Sequence, residues 1–241
     1  MRKQNSKFNT NFISEEGSAL KNSDFFAYAE LDGFACYVLA DGIEDVADTE
    51  SAKEAVESII AKFTEKPSIS KRRIHRYLSY ANEVLLKAEK YMKLKASIVV
   101  AVTDYENVRI AYAGNVRAKL YRNNKQFYKT TDTSLSTEMV SKERISEDAL
   151  SRHEQRSNLY TFLGQKGFSP VISGKIKLVD TDILILYTKG IWENVSEGEI
   201  DNIFADSGKD PKDALEKIEK VLLDKEPEYI DNYTIAGIYI D

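Results

Sequence analysis

The sequence predicts an α+β fold in which antiparallel sheets are covered on the outside by helices. Two observations lead to this prediction. Short aromatic and β-branched runs alternate with two-residue turn signals, which is typical of β-hairpins. Two long amphipathic segments follow one another, and each must cover a sheet or another helix with its apolar side.

The N-terminal part of the chain supplies an edge and a hairpin. Residues 1–12 are polar, and we expect them to be loosely ordered or to add an edge strand. The runs 25–31 and 34–39 are rich in aromatic and β-branched residues, and Asp32-Gly33 between them is a strong turn signal. This segment is therefore predicted to be a β-hairpin.

Apolar residues at helical spacing follow the hairpin. They predict a helix over 52–63, with Asp48 or Thr49 as its N-cap and Pro67 just beyond its end. A second pattern of the same period predicts a helix over 70–92.

The second half returns to strands. Asn123-Asn124 predicts a tight hairpin, and the polar segment 136–157 is interpreted as a mobile flap with a short helix. The continuous apolar run 183–187 predicts a strand buried on both faces. Further strands are predicted at 97–102, 108–113, 119–121, 126–128, 171–179 and 233–240. Helix starts are predicted at Ser196, with Glu199 completing a capping box, and at Asp210-Pro211.

Composition narrows the classes of protein. The chain has 241 residues, of which 42% are hydrophobic and 30% charged, as in a soluble globular protein. Its net charge of −5 argues against nucleic acid or an anionic membrane as a partner. The lone Cys36 excludes an internal disulfide and fits a reducing compartment. No signal peptide or membrane span is recognisable, so we predict a cytoplasmic protein.

We predict a single domain over residues 1–241, because the chain has no internal repeat and no linker rich in Pro, Gly or Ser. Polar residues follow strands at four turns that are far apart in sequence. The ends of strands in two facing sheets could bring these turns together at one rim. The turns are Asp41-Gly42, Gly114-Asn115, Lys189-Gly190 and Asp231-Asn232.

The order and spacing of short motifs resemble the metal-dependent protein serine/threonine phosphatases of the PPM, or type 2C, family. The resemblance extends from about residue 10 to 241. It implies a four-layer αββα sandwich of two antiparallel sheets flanked by helix pairs. The motifs are NSD at 22–24, LADG at 39–42, YAGNVRAKLYRNNK at 112–125, TTDTSL at 130–135, LILYTKGIWENVSEGEI at 184–200 and DNYTI at 231–235.

The resemblance also implies a metal centre. In active members, acidic residues at the sandwich rim hold two Mg²⁺ or Mn²⁺ ions, which generate the hydroxide that attacks phosphoserine or phosphothreonine. This chain keeps Asp41, the adjacent carbonyl of Gly42 and Asp231 as residual or vestigial ligands, with Asn232 beside the last of them.

Other family positions have changed. The first metal-site glutamate is replaced by Ser23, which Asp24 follows, and the phosphate-binding arginine falls near Ala19. The acid tied to a third metal is replaced by Asn115, and another metal-ligating aspartate by Lys189. The resemblance therefore implies a depleted metal site.

Lys189 suggests a physical replacement for the metal. An ammonium delivered to this position would balance Asp41, Asp231 or both, without the Lewis acidity of a divalent ion. The alternative is that Lys189 extends into solvent, as most lysines do. Glu44 and Asp45 belong either to a solvated loop or to a substitute ligand set.

Two functions remain open at this point. The first is a pseudophosphatase that regulates a protein partner or phosphoprotein without hydrolysis and needs no metal. The second is a divergent, active phosphatase that uses Mg²⁺ or Mn²⁺. We expect the flap, with the basic run 71–76 as a second candidate, to bind the partner. No catalytic role is assigned to His75 or His153, and Trp192 is expected to be a packing residue.

Overall fold

The computed structural model describes residues 8–43, 50–88, 94–142, 158–208 and 210–240. Within these ranges, the strands are β1 (Phe8–Glu15), β2 (Asp24–Glu30), β3 (Ala35–Gly42), β4 (Ala96–Thr103), β5 (Asn107–Ala113), β6 (Arg117–Arg122), β7 (Lys125–Lys129), β8 (Val171–Ile172), β9 (Ile176–Lys177), β10 (Ile183–Tyr187) and β11 (Tyr233–Ile240). The helices are α1 (Ser51–Glu65), α2 (Lys71–Ala88), α3 (Leu135–Ser141), α4 (Lys189–Asn194), α5 (Glu197–Ala205) and α6 (Pro211–Asp224).

Two antiparallel sheets face each other. One has the strand order β1-β11-β10-β6-β7, and the other has the order β2-β3-β4-β5-β8, with β9 also paired to β5. Helices α1 and α2 pack on the second sheet, and α5 and α6 pack on the first. The predicted α+β class, with two antiparallel sheets between helix layers, is confirmed.

Strand alternation explains the layers, because successive side chains point to opposite faces of a sheet. In β3, Cys36, Val38 and Ala40 pack against α1 and α2. Tyr37 and Leu39 point the other way, into the apolar layer between the two sheets. A third apolar cluster lies between the first sheet and α5 and α6. Both sheets are thus buried on two faces, as their continuous apolar runs predict.

The predicted edge and turns are confirmed. From Phe8 onward the N-terminal segment is an edge strand, paired with β11. Leu31 N donates to Phe34 O at 2.8 Å, which closes the predicted two-residue turn. Asn123 and Asn124 have φ angles of 50° and 62°, as a tight hairpin of this type requires.

The observed N-terminal ends of two helices agree with the prediction from the sequence, and that of a third differs. Ser196 and Glu199 form the predicted capping box of α5. Asp210 caps α6, whose first residue is the predicted proline. The N-cap of α1, however, is Glu50, without a side-chain capping bond, and the predicted caps at 48 and 49 lie outside the described residues.

Two predictions about strands and helices are wrong. The single strand over 171–179 is in fact the two short strands β8 and β9. Ser173 N still donates to Ile110 O at 2.9 Å, but Ile110 N donates to Ser173 Oγ at 3.0 Å instead of to a backbone carbonyl, so the backbone ladder is incomplete there. A short helix, α4, also begins directly after β10, where only a polar turn was expected.

Some predicted segments extend beyond the described residues. Helix α2 is described to Ala88, so the end of the segment predicted to reach residue 92 lies outside. Of the flap, α3 provides the predicted short helix, and 143–157 lie outside the described ranges. None of the helices in the described ranges is long and apolar enough to cross a membrane.

Candidate functional site

Strand alternation brings polar side chains to one rim of the sandwich. Leu39 points into the layer between the sheets, so Asp41, two residues later, lies on the same face of β3. Asp24 on β2 is directly opposite Asp41 in the strand register. From the other sheet, Leu186 points into the same layer, and Thr188 follows it on that face. The rim therefore receives side chains from both sheets.

Asp24 is a buried carboxyl group with only part of its hydrogen-bonding capacity used. Thr188 Oγ1 donates to Asp24 Oδ2 at 2.7 Å. Asp24 Oδ1 is buried and has no hydrogen-bond partner among the described residues. Burial raises the pKa of Asp24 to about 7, against the opposing effect of the Thr188 and Thr234 hydroxyls. Asp24 is thus set up to be partly protonated near neutral pH.

Asp41 is half-buried and lies beside other acids. Burial raises the pKa of Asp41 well above its usual value, and the charges of Asp24 and Asp231 raise it further. Lys189 acts in the opposite direction and lowers it. Two opposed carboxyl groups in one enclosed site do not ionise together without a counter-charge. The lysine supplies part of that charge.

Lys189 is the first residue of α4, and its ammonium lies among acids. Lys189 Nζ is 2.8 Å from Asp231 Oδ2 and 3.4 Å from Glu193 Oε2. The exposed fractions of these three side chains are 21%, 35% and 16%, so the cluster is partly open to water. Burial lowers the pKa of Lys189, but the hydrogen bond and charge of Asp231 outweigh this effect, and the net result is a raised pKa.

The predicted salt bridge of Lys189 is confirmed for Asp231. Towards Asp41, the lysine acts through its charge, by lowering the pKa of that carboxyl. The alternative that Lys189 extends freely into solvent does not hold, because its ammonium contacts two carboxylates.

Gly190 allows this arrangement. A Cβ atom on Gly190 would lie 2.3 Å from Asn232 O and 2.9 Å from Asp231 O. The backbone at the start of α4 therefore approaches the segment before β11 more closely than any side chain would permit. This close approach brings Lys189 within reach of Asp231.

Asn232 holds the loop between β1 and β2. Its Nδ2 donates to Glu16 O at 2.8 Å and to Lys21 O at 3.0 Å, and its Oδ1 accepts from Ser23 N at 2.9 Å. Both the donor and the acceptor of the Asn232 amide are therefore used in holding the β1–β2 loop against the segment before β11. The same loop carries Ala19, whose N–H donates to Glu16 O at 3.1 Å in a turn and whose side chain has no charge for a phosphate.

Asn115 lies in a buried packing position. Its Oδ1 accepts from Ser97 Oγ at 2.8 Å, and its backbone carbonyl accepts from Trp192 Nε1 at 3.0 Å. Trp192 is buried in the cluster under α5 and α6, and the Arg117 guanidinium lies 4.0 Å from the centre of its ring. The expected packing role of Trp192 is confirmed.

The described residues do not fit a two-metal centre. They contain no group of three or more His, Cys, Asp or Glu side chains arranged to hold a metal ion. Asp231 and Glu193 are paired with Lys189, so Asp24, Asp41 and the carbonyl of Gly42 are the possible oxygen ligands that remain among the rim residues described. Glu44 and Asp45, which the sequence offers as substitute ligands, lie outside the described residues.

Two residues of the rim were not predicted from the sequence. Thr188 bonds Asp24 across 164 positions of sequence, and only strand alternation from Leu186 could have indicated its direction. Glu193 pairs with Lys189 at i,i+4, a spacing that has meaning only once a helix is recognised there.

Comparison with known proteins gives consistent relatives. No family model matches the chain. A segment of 124 residues is 30% identical to the serine/threonine phosphatase stp of Listeria welshimeri, and this match covers 50% of the chain and 49% of the relative. The matched segment thus spans about half the length of that curated relative.

Solved structures match over almost the whole chain. The S. agalactiae serine/threonine phosphatase has a TM-score of 0.85 at 19% identity, with 98% of this chain and 100% of that one covered. The PPM Ser-Thr phosphatase MsPP of Mycobacterium smegmatis has a TM-score of 0.78 at 19% identity, with coverage of 96% and 97%. The catalytic domain of the serine threonine protein phosphatase PstP, solved with two manganese ions, has a TM-score of 0.82 at 15% identity, with coverage of 98% and 99%.

These TM-scores show a shared fold, and the resemblance found in the sequence motifs is confirmed. The chain therefore has the fold of the PPM-type serine/threonine phosphatases, and its relatives in sequence and structure are bacterial phosphatases of that kind.

Proposed function

We propose that this protein is a PPM-type phosphatase-like domain that binds and regulates a protein partner or phosphoprotein without hydrolysing phosphate. The observation that carries the proposal is the position of the Lys189 ammonium, 2.8 Å from Asp231 and within the field of Asp41. The ammonium supplies part of the counter-charge of these acids, so the rim depends less on a divalent ion.

The same charge opposes metal binding. Two unit charges about 4 Å apart interact by roughly 4 kcal/mol at an effective dielectric of about 20. A divalent ion placed beside Asp41 would meet that repulsion from Lys189 and would lack the glutamate that Ser23 replaces. The PstP neighbour was solved with two manganese ions. We expect this chain, by contrast, to bind Mg²⁺ and Mn²⁺ weakly or not at all.

Calorimetric titration with Mn²⁺, together with turnover of a phosphothreonine peptide, tests the proposal. The wild-type protein is expected to give no tight binding isotherm and no turnover above background, with a bacterial serine/threonine phosphatase as the positive control. A tight isotherm with a two-ion stoichiometry, or metal-dependent turnover abolished by Asp41→Asn, would contradict it.

The variant Lys189→Asp restores one oxygen ligand of the family pattern. We expect it to be destabilised in EDTA and to recover stability when Mn²⁺ is added, because a cation then replaces the missing ammonium. Full activity is not expected, since Ser23, Ala19 and Asn115 still lack the side chains that the family uses. Lys189→Met, which removes the charge without adding an oxygen, is the matched control and should gain nothing from Mn²⁺.

A divergent, active phosphatase is the second candidate, and one observation favours it. Asp24 Oδ1 is buried with no hydrogen-bond partner in the part of the chain that the structure describes, and Asp24 is directly opposite Asp41 in the strand register. That oxygen could accept either a proton or a single cation. Saturable binding of one Mn²⁺, accompanied by turnover and lost in Asp24→Asn, would support this candidate over the first.

The partner is expected to be a protein in the cytoplasm. The flap at 136–157 stays the first predicted recognition segment. Deleting 143–157, which lie outside the described residues, should weaken the interactions found by pull-down with the full chain as bait. Unchanged interactions would remove the flap from the proposal.

A further inference from the structure

Several helices of this protein pair at least one surface lysine with an acid one turn away. Lysine and glutamate lie within 4 Å at i,i+3 or i,i+4 in several places along the described chain. The pairs are Lys53–Glu50, Lys62–Glu65, Lys87–Glu83, Lys142–Glu138 and Lys212–Glu216. Such pairs each add a few tenths of a kcal/mol to a helix.

The start of α2 departs from this pattern. Its first six residues include five basic side chains and no acid, and we call this set the basic α2 surface: Lys71, Arg72, Arg73, His75 and Arg76. All are exposed except Arg73, which is intermediate and acts on Glu65. Lys71, Arg72 and Arg76 form no ion pair with any residue in the described ranges.

This arrangement is unfavourable for the isolated chain. Arg72 and Arg76 are at i,i+4, so two like charges lie on the same side of the helix, about 6 Å apart along its axis. Lys71 and Arg72 also occupy the first turn, where the helix dipole favours acids. The first turn of α2 contains none. Residues that oppose the local rules of helix stability, without a compensating contact, are expected where a surface binds something.

We propose that the basic α2 surface binds a phosphorylated segment of a protein partner, with Arg72 and Arg76 contacting the phosphate. This inference rests on the proposed function, because a partner held here is bound and not hydrolysed. Arginine fits the proposal better than lysine, since its planar guanidinium donates two parallel hydrogen bonds to a phosphate. One dianionic phosphate between Arg72 and Arg76 would relieve the repulsion between them.

A peptide fits this surface better than a membrane or a nucleic acid. Ile74 and Tyr77 are buried in the core, and the exposed ring one turn beyond Arg76, that of Tyr80, has the Lys62 ammonium 4.7 Å from its centre. The described part of this surface therefore has no continuous apolar face to enter a lipid layer. The basic stretch covers only about 7.5 Å of helix, and the whole chain has a net charge of −5, which opposes a long polyanion.

The basic α2 surface is remote from the rim. Helix α1 begins close to the end of β3 that carries Asp41, because Lys95 O accepts both from Ser51 Oγ at 2.8 Å and from Ile43 N at 3.0 Å. Helix α2 follows the opposite end of α1 in the chain. With 15 residues in α1, the two ends are about 22 Å apart. Binding at the α2 surface is therefore separable from any chemistry at Lys189.

The test is fluorescence anisotropy with the full chain in EDTA, so that hydrolysis cannot consume the probe. The probe is a short fluorescein-labelled peptide with a central phosphoserine, compared with the same peptide carrying glutamate or serine at that position. The double variant Arg72→Glu/Arg76→Glu should bind the phosphopeptide at least about tenfold more weakly than wild type. The control is Lys217→Glu/Lys220→Glu on the exposed side of α6, which changes the net charge equally and should bind as wild type does.

A second readout guards against simple loss of folding. Because the substitutions remove like-charge repulsion and place acids at the start of the helix, the α2 double variant should melt at a higher temperature than wild type while it binds more weakly. Phosphopeptide binding should also weaken as salt rises from about 50 to about 300 mM, and should persist in Lys189→Met.

Several outcomes would overturn the proposal. They are undetectable wild-type binding of the phosphopeptide at low salt, equal binding of the glutamate peptide, or an equal loss of affinity in the α6 control. Binding to phosphatidylserine vesicles without binding to the phosphopeptide would also overturn it. Turnover in Mn²⁺ without any change in the EDTA measurements would contradict the proposed function alone.

Discussion

Replacing Lys189 by methionine should destabilise the protein, and more at pH 8 than at pH 5. Methionine keeps most of the length of the side chain and removes only the ammonium. In its absence Asp231 and Glu193 lose their counter-charge, at distances of 2.8 and 3.4 Å in the wild type. The lysine also lowers the pKa of Asp24 and of Asp41, so its removal makes ionisation of that pair less favourable.

The expected loss of stability depends on how far the cluster is exposed to solvent. Exposed pairs contribute about 0.2–1 kcal/mol, whereas breaking a fully buried pair costs about 3–5 kcal/mol. The side chains of Lys189 and Asp231 are 21% and 35% exposed, which places this cluster between the two limits. We expect a loss of about 1–2 kcal/mol at pH 8, or roughly 2–8 °C in the melting temperature of a chain of this size.

The pH dependence has a definite sign. Asp24 has a pKa of about 7, so it is mostly protonated at pH 5 and largely ionised at pH 8. The ammonium therefore balances more negative charge at pH 8, and its removal costs more there. The raised pKa of Lys189 itself has no effect in this range, because both folded and unfolded chains keep the lysine protonated below about pH 10.

Urea denaturation at the two pH values measures the difference. The control is Lys212→Met, which removes one lysine from an exposed pair with Glu216 and should change stability by less than about 0.5 kcal/mol. If Lys189→Met is as stable as wild type at pH 8, or loses the same amount at both pH values, the account of the rim as a charge-balanced cluster is wrong.

Three further predictions concern the rim and its surroundings. The free energy of unfolding of the wild-type protein should fall as pH rises from about 4 to 7, because Asp24 ionises at a lower pH in the unfolded chain than in the folded one. In urea titrations, Asp24→Asn should flatten this slope. The variant should be more stable than wild type at pH 8 by up to about 4 kcal/mol, which corresponds to a shift of about 3 pKa units. Gly190→Ala should lower the melting temperature strongly, since its Cβ would lie 2.3 Å from Asn232 O, and a neutral outcome in calorimetry would dispute that close approach. Asn82→Ala should lower the free energy of unfolding by about 1–3 kcal/mol, because the Gly164 N–H donates to Asn82 Oδ1 at 2.8 Å and would lose this acceptor. Hydrogen exchange at the Gly164 amide should accelerate.

The layers could be predicted from the sequence because they depend on local patterns. Continuous apolar runs such as 183–187 identify strands buried on two faces, and the turn at Asn123-Asn124 needs only two adjacent residues. The errors arose where a short-range pattern competes with distant contacts. Residues 171–179 have strand composition, yet the Ser173 side chain takes the place of one backbone acceptor for β5, and the ladder is incomplete there. Helix α4 has only six residues, and burial of Ile191 and Trp192 holds it in place.

The rim was predictable only in part. The motifs indicate which positions meet, and they place Asp41, Asp231 and Lys189 together. They do not indicate Thr188, because its bond to Asp24 depends on how one sheet is laid over the other. The sequence likewise does not indicate that the Asn232 amide hydrogen-bonds to backbone groups of the β1–β2 loop. These bonds give Asn232 a structural role.

The buried charges of β6 have a consequence for the whole rim. Arg117 contacts Asp132 and Glu197, and Lys119, fully buried, contacts Glu197 and Asp201, both on α5. A helix that met this strand through apolar side chains alone could shift along it by a residue or a turn at little cost. Here each such shift would leave a buried cation without its carboxylate partner, so α5 can pack on this strand in only one position. Since only Val195 and Ser196 separate α4 from α5, these ion pairs of β6 also limit how far the ammonium at the rim can move.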